Sequence, residues 1–263
     1  MTTPPYKLAV EDLTVVFGHG KRARTVLHGV SLGVRAGQTL GLVGESGSGK
    51  STIATAIVGV HPVRAGRVTL DGEDLTGLRG GRLAAVRRRV QLVSQDPYAS
   101  LNPRMTVGQA IAEAVDPVRA DASKHASAVK RWLETVALDG SAAQRYPHEF
   151  SGGQRQRIAV ARALAVEPEV IIADEITSAL DASVQAEVLN LLEELRRSLS
   201  LTMLFISHDL AVVRHVSDEV AVLRQGEVVE HGPVRDVYRT LQHPYTRRLL
   251  ASVPTFEEKE QPA

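Results

Sequence analysis

The chain has 263 residues, 43% of them hydrophobic and 23% charged, and its 31 Lys and Arg nearly cancel its 30 Asp and Glu. Such a composition excludes a disordered or membrane-embedded chain, and the charge balance removes the broad basic field that nucleic acid or an anionic membrane would attract. With no cysteine, disulfide frameworks, thiolate zinc sites and cysteine-held iron–sulfur clusters are excluded too.

The N-terminal stretch lacks the basic and apolar regions of a secretory signal, and no apolar run approaches the roughly 18 residues that cross a bilayer. A cytoplasmic protein that meets any membrane through partners is expected. Strands are predicted over 7–17, 26–34, 39–43 and 67–70, with Asp71-Gly72 as a tight-turn signal and a helix after Lys50. The cluster Arg87-Arg88-Arg89 reads as a solvated surface, not a nucleic-acid face. A strand over 90–93 then leads into the breaker-rich stretch 96–104.

From 107 to about 166 the chain is Ala-rich and helical, with the character of an insertion. Ala126, Val129, Leu133 and Val136 recur at helical steps, which predicts one inward face, and Trp132 reads as a packing residue. The remainder alternates: strand 170–173, helix 182–199, strand 202–206, helix 210–216, strand 220–223. Alternation of this kind predicts an α/β fold whose largely parallel sheet carries helices on its faces. In the longest helix Val184, Val188, Leu191, Leu195 and Leu199 predict an apolar stripe, and Glu193 and Arg197 an i,i+4 pair.

Three motifs carry chemistry. Gly44-Glu45-Ser46-Gly47-Ser48-Gly49-Lys50-Ser51 fits the phosphate-binding pattern GxxxxGK(S/T) between a predicted strand and a predicted helix. Glycine lets the backbone wrap a phosphate, so that successive N–H groups and the positive helix end face it; Lys50 reaches the terminal phosphates and Ser51 can ligate Mg²⁺. Thr52 follows in the same expected set for binding MgATP. The bland alternative is a glycine turn that caps a helix.

The second motif is Val170-Ile171-Ile172-Ala173-Asp174-Glu175, an apolar strand ending in two acids. Asp174 suits a Mg²⁺ shell and Glu175 is placed to polarise the attacking water, the alternative being a solvated acidic turn. The third is Ser151-Gly152-Gly153-Gln154, which opens a helix and offers a second anion site. One nucleotide does not need two γ-phosphate sites, so the economical reading is a partner's ATP.

With these motifs in order the sequence resembles the ATP-binding-cassette (ABC) ATPases over essentially its whole length. The resemblance implies a P-loop NTPase core with a mostly parallel sheet, an N-terminal antiparallel β subdomain and an inserted helical subdomain over about 97–167. It implies that Phe17 stacks on adenine, that Gln95 senses Mg²⁺ and water, and that Ser178-Ala179-Leu180-Asp181 joins two subunits with Asp181 in the nucleotide set. His208 resembles the switch histidine near the γ-phosphate. The implied catalytic set is therefore Glu175, His208, Gln95 and Lys50, and the implied metal set Ser51, Gln95 and Asp174. Two such domains sandwich two ATP molecules in the family; binding closes the pair and hydrolysis reopens it. Ile176 stands where proline is usual and Phe150 where leucine is commoner, and neither supplies a reacting group.

The segment 243–254, beginning His243-Pro244-Tyr245-Thr246, and the stretch 146–157 resemble the ATPases of peptide and nickel importers. A cassette over 1–240 and an extension over 241–263 are expected, with a disordered charged ending that lacks the cysteines many relatives carry. The implied partners are a second ATPase subunit (a copy or a paralogue), two transmembrane permease subunits and an extracytoplasmic solute-binding protein, with the chain at the cytoplasmic face of the membrane. Peptide import is the expected role and nickel or another small solute the alternative. A cassette of DNA repair or translation is the rival class, and the chain has neither the coiled-coil insertion nor the tandem cassettes usual there. A P-loop kinase would leave the helix after Ser151 unexplained.

Overall fold

Residues 6–251, apart from 19, 97–99 and 241, are described by a computed structural model. Two sheets form among them. The first is antiparallel, in the order β2 (Arg24–Val34), β1 (Leu8–Phe17), β4 (Ala65–Leu70), β5 (Glu73–Asp74). The second runs β10 (Glu227–Pro233), β9 (Glu219–Arg224), β3 (Thr39–Val43), β8 (Thr202–Ser207), β7 (Val170–Asp174), β6 (Val90–Val93). It is parallel from β9 to β6, and β10 alone runs antiparallel to its neighbour.

Every residue of β3, β7 and β8 is buried, as expected of parallel strands covered on both faces. Successive side chains point to opposite faces, which sorts the apolar residues into two cores. Leu40, Leu42, Ile172, Leu204 and Ile206 pack towards the antiparallel sheet and towards Ile53 and Ile57 of α1 (Lys50–Ile57). Their neighbours Val43, Ile171, Ala173, Met203 and Phe205 join the other core. A one-residue slip in register would exchange the two sets, so the pattern itself fixes the pairing.

Between these strands lie α2 (Gly80–Arg89), α3 (Val107–Val115), α4 (Ala126–Thr135) and α5 (Gly152–Leu164), followed by α6 (Ala182–Leu199) and α7 (Leu210–Val216). After β10 come α8 (Val234–Thr240) and α9 (Pro244–Ala251). A capping box between Thr106 and Gln109 starts α3. Trp132 is buried with Val129, Leu133 and Val136 in the core shared with α5 and α6. The turn between β4 and β5 has positive φ at both Asp71 and Gly72, the mirror-type turn that suits the twist of a hairpin.

Several details differ from the sequence reading. Elements α2, β5, β10 and α8 were not expected: α2 buries Val86 alone, and β10 is an edge strand with no fully buried residue, so neither shows a strong apolar period. Ala126 and Leu199 are exposed; Leu189 and Leu192 join Val188, Leu191 and Leu195 on the buried face of α6. The three arginines are not simply solvated. Arg87 donates to Val58 O and Gly59 O, Arg88 to Ala114 O and Val115 O, and Arg89 pairs with Glu73 and Glu169, so each guanidinium ties two segments together.

Candidate nucleotide site

β3 ends at Val43 and α1 begins at Lys50, leaving residues 44–49 to form the loop. Gly47 and Gly49 have φ of 79° and 110°, a region that side-chain-bearing residues rarely enter. A Cβ on Gly44 would lie 2.2 Å from Leu223 O, so the loop seats directly on β9. Lys50 turns back under it: its Nζ donates to Gly44 O at 2.8 Å and Glu45 O at 3.0 Å, and the side chain is 4% exposed.

The end of β7 delivers the two acids to this loop. Ser51 Oγ donates to Asp174 Oδ1 at 3.1 Å. Burial pushes the Asp174 carboxyl above its ordinary range, and the Ser51 hydrogen bond opposes that shift. Glu175 has φ of 49°, unusual for a residue with a side chain, and its N–H donates to Ile206 O at 3.0 Å. Its carboxylate lies between two groups, 3.4 Å from Lys50 Nζ and 3.5 Å from His208 Nδ1.

Two clefts open on the loop. One, of about 360 Å³, is lined by Gln95, Glu175, Lys50, Ser51 and Thr52 together with Arg24. The other, of about 650 Å³, has residues 44–48 on one side and His208, Arg224, Tyr245 and Arg248 on the other. Residues 44–52, Gln95, Asp174, Glu175 and His208 are thus assembled around one loop.

The remaining expected residues line neither cleft. Phe17 is half-exposed, pairs with Arg24 across the β1–β2 hairpin and meets the His61 ring edge-on at 4.7 Å. Ser151 is the N-cap of α5 in a capping box: its Oγ accepts from Gln154 N, and Gln154 Oε1 accepts from Ser151 N. Gly153 permits close approach to α6, since a Cβ there would lie 2.2 Å from Val184 Cγ1. Asp181 caps α6 by accepting from Val184 N at 3.0 Å. Ser151, Gly152, Gln154 and Asp181 are exposed.

Sequence reasoning did not find Arg24, Arg224, Tyr245 and Arg248 in this site. No motif marks the first two. The segment around Tyr245 was legible only as an extension.

Mg²⁺ takes oxygen ligands, and needs one or two from protein when substrate phosphates and water complete the shell. Ser51 Oγ, on an exposed residue, and the adjacent Oδ1 of buried Asp174 fit that demand. Among the described residues no group of three or more His, Cys, Asp or Glu forms a metal cage, and this chemistry requires none.

Residues 27–178 match the ABC transporter family. A putative peptide import ATP-binding protein of Brucella abortus (strain 2308) is 51% identical over 252 residues, covering 93% of this chain and 75% of that protein. The glutathione import ATP-binding protein GsiA of Escherichia coli (strain K12) is 50% identical over 236 residues, covering 88% of this chain and 37% of that longer protein. Among solved structures, cbiO1 of Clostridium perfringens, described as part of the ABC transporter complex cbiONQ, superposes with a TM-score of 0.79 at 26% identity, covering 95% of this chain and 96% of that one. The cassette MJ0796, in a dimeric post-hydrolysis state bound to ADP and Pi, gives 0.77 at 28% identity over 87% of this chain and 99% of its own. Matched in family over more than half its length and by a half-identical relative along nearly all of it, this chain belongs to the ABC transporter family as an ATP-binding, ATP-hydrolysing cassette.

Proposed function

We propose that the chain is the ATPase subunit that energises peptide import through partner membrane permeases. The observation that carries the chemistry is the meeting of Lys50, Ser51, Asp174 and Glu175 at one loop, held by strands between which β8 runs. The peptide assignment rests on the relatives named for peptide and glutathione import.

The loop over 44–49 turns to the phosphates those backbone N–H groups that are not already bonded within the chain, as those of Glu45 and Ser48 are, and Lys50 leaves its two carbonyl partners to meet the β- and γ-oxygens. Ser51, Asp174 and Gln95 hold Mg²⁺, which when bound neutralises charge that develops on the phosphates. Glu175 accepts a proton from the attacking water, and His208 keeps the other carboxylate oxygen oriented while it faces the terminal phosphate. Phe17, on the hairpin that also supplies Arg24, receives the adenine.

Ser151 to Gln154 line neither of this chain's two clefts at the loop, and the N–H groups of Gly152 and Gly153 are not consumed by the capping box. That supports a site shared between two cassettes, each completing the other's with this helix end and the Asp181 loop. The cassette occupies 1–240, with its helical subdomain over about 97–167, and the extension starts near 241. The described residues contain no helix long and apolar enough to cross a membrane. Two permease subunits form the membrane path, an extracytoplasmic binding protein delivers the peptide, and the cassette sits at the cytoplasmic face.

Two measurements test the proposal. The purified chain should bind MgATP, hydrolyse it slowly alone, and speed up more than linearly with concentration or on addition of a paralogous cassette. A strain lacking the gene should lose uptake of labelled di- and oligopeptides and regain it with the wild-type chain but not with Glu175→Gln. High turnover by a strict monomer, or full peptide uptake without the gene, overturns the reading.

A further inference from the structure

The first cleft residue contributed from beyond β10 is Tyr245, near the start of α9. Its hydroxyl accepts a 3.0 Å hydrogen bond from the backbone N–H of Glu45, two hundred positions earlier in the chain. The carbonyl on the other side of that same peptide unit, Gly44 O, accepts from Lys50 Nζ at 2.8 Å. A trans peptide is planar, with its N–H and C=O pointing in opposite directions. Tyr245 and Lys50 therefore hold one rigid plate from its two edges. Glu45 O is likewise engaged, accepting from Lys50 Nζ and from Ser48 N.

The tyrosine is itself well fixed. It is 4% exposed, the Arg224 guanidinium lies 5.3 Å from its ring centroid, and its own N–H donates to His243 Nδ1 at 3.1 Å. Burial raises its pKa, so the hydroxyl keeps its proton and accepts through a lone pair at neutral pH.

We propose that Tyr245 is a positioning residue for nucleotide binding: its hydroxyl fixes the Gly44–Glu45 peptide so that the phosphate loop keeps its shape when Lys50 moves onto the phosphates. This rests on the MgATP reading of the loop. With no nucleotide, Lys50 restrains the plate and the Tyr245 bond is one of two restraints. With nucleotide bound, Lys50 withdraws and Tyr245 is the restraint that remains on this peptide's outer edge. Loss of the hydroxyl therefore costs more in the bound state, where the loop is clamped on phosphate and the Glu45 N–H cannot rotate out to water. The extension thereby acts on the nucleotide site of its own chain, in addition to any role at the permease.

The test compares Tyr245→Phe and Tyr245→Ala with wild type in the full chain, by calorimetric titration with MgATP and by amide exchange. Removing one part-buried hydrogen bond that matters more in the bound state should weaken MgATP binding by about two- to fivefold in Tyr245→Phe. Hydrolysis at saturating ATP, with the pairing partner present, should stay within about twofold, so KM moves and kcat does not. The Glu45 amide should exchange slowly in the nucleotide-bound wild type and quickly in the nucleotide-bound Phe variant. Tyr245→Ala should lose affinity to a similar degree and also melt earlier without nucleotide, because it loses the ring as well. If Tyr245→Phe binds like wild type while Tyr245→Ala does not, the ring packs and the hydroxyl positions nothing, and the inference is overturned. Equal Glu45 exchange in the two proteins overturns it too. A wild-type chain that fails to bind MgATP overturns both this inference and the reading beneath it, whereas normal wild-type binding with an unaffected Phe variant removes the inference alone.

Discussion

Lys50 Nζ lies 3.4 Å from Glu175 Oε1, so the base expected to act on water is paired with the cation expected to act on phosphate. Neither can serve fully while it holds the other. A nucleotide that draws Lys50 onto its phosphates releases one oxygen of Glu175, and the other remains 3.5 Å from His208 Nδ1. Under the proposed function, ligand binding and exposure of the base would be one event.

Replacing Glu175 by glutamine keeps the shape and removes the base. Hydrolysis should fall about a hundred- to ten-thousand-fold while MgATP binding survives. In Lys50→Ala the binding itself should be lost. If ATP closes a cassette pair and hydrolysis reopens it, as proposed, Glu175→Gln should accumulate an ATP-dependent dimer on size-exclusion chromatography when the pairing partner is present. Near-normal turnover of Glu175→Gln would place the base elsewhere.

Asp174→Asn tests the metal assignment separately. The amide can still accept from Ser51 but carries no charge, so Mg²⁺-dependent ATP binding should weaken and no trapped dimer should form. Titration with ATP in the presence and absence of Mg²⁺ reads this out. An asparagine variant whose affinity responds to Mg²⁺ as the wild type does contradicts the role.

Ser151 has a local task as the α5 cap and a proposed one at a partner's nucleotide, and two variants separate them. Ser151→Ala removes the α5 cap and should cost about 1 kcal/mol in stability, read from urea midpoints. Ser151→Arg should suffer the same loss of the cap and in addition block closure onto the partner's nucleotide, with ATP binding by the single chain nearly intact. If Arg and Ala variants pair equally well with ATP present, the helix end does not face a partner.

The ion-pair group at the start of β7 predicts a pH dependence of stability. The Arg89 hydrogen bond, aided by Lys7, lowers the Glu169 pKa from 4.5 to about 2, against the opposing effect of partial burial. The folded state thus binds its proton less readily than the unfolded chain does. The stabilisation is present in full above the unfolded value and is lost as pH falls from about 4.5 towards about 2. The side chains are about a third exposed, so a contribution of about 1 kcal/mol is expected after screening. Glu169→Gln should lower the urea midpoint at pH 7 and show a smaller further loss than wild type between pH 5 and about 3. Parallel curves for the two proteins would remove Glu169 as the source.

Much of the scaffold was readable because its elements carry their own periodic signals. Residues 39–43 and 90–93 form strands as expected, and helices over 182–199 and 210–216 have the expected bounds. Apolar runs in β3, β7 and β8 fit only a sheet covered on both faces, and Asp71-Gly72 fits only a tight reversal. Elements with weak periods, such as α2 and β10, escaped because their residues are held by neighbours and not by an apolar face of their own.

The loop over 44–51 and the acids at 174 and 175 were likewise legible, because backbone approach to phosphate restricts residue type at fixed spacing. The sequence by itself could not say that Glu175 is paired with Lys50 and His208, or that Ser51 reaches Asp174, since strand order in the sheet sets those distances. Nor could it place Tyr245 on Glu45. A hydroxyl accepting from a backbone N–H demands no partner side chain and leaves no mark at the other position, so only the docking of α9 on the phosphate loop decides it.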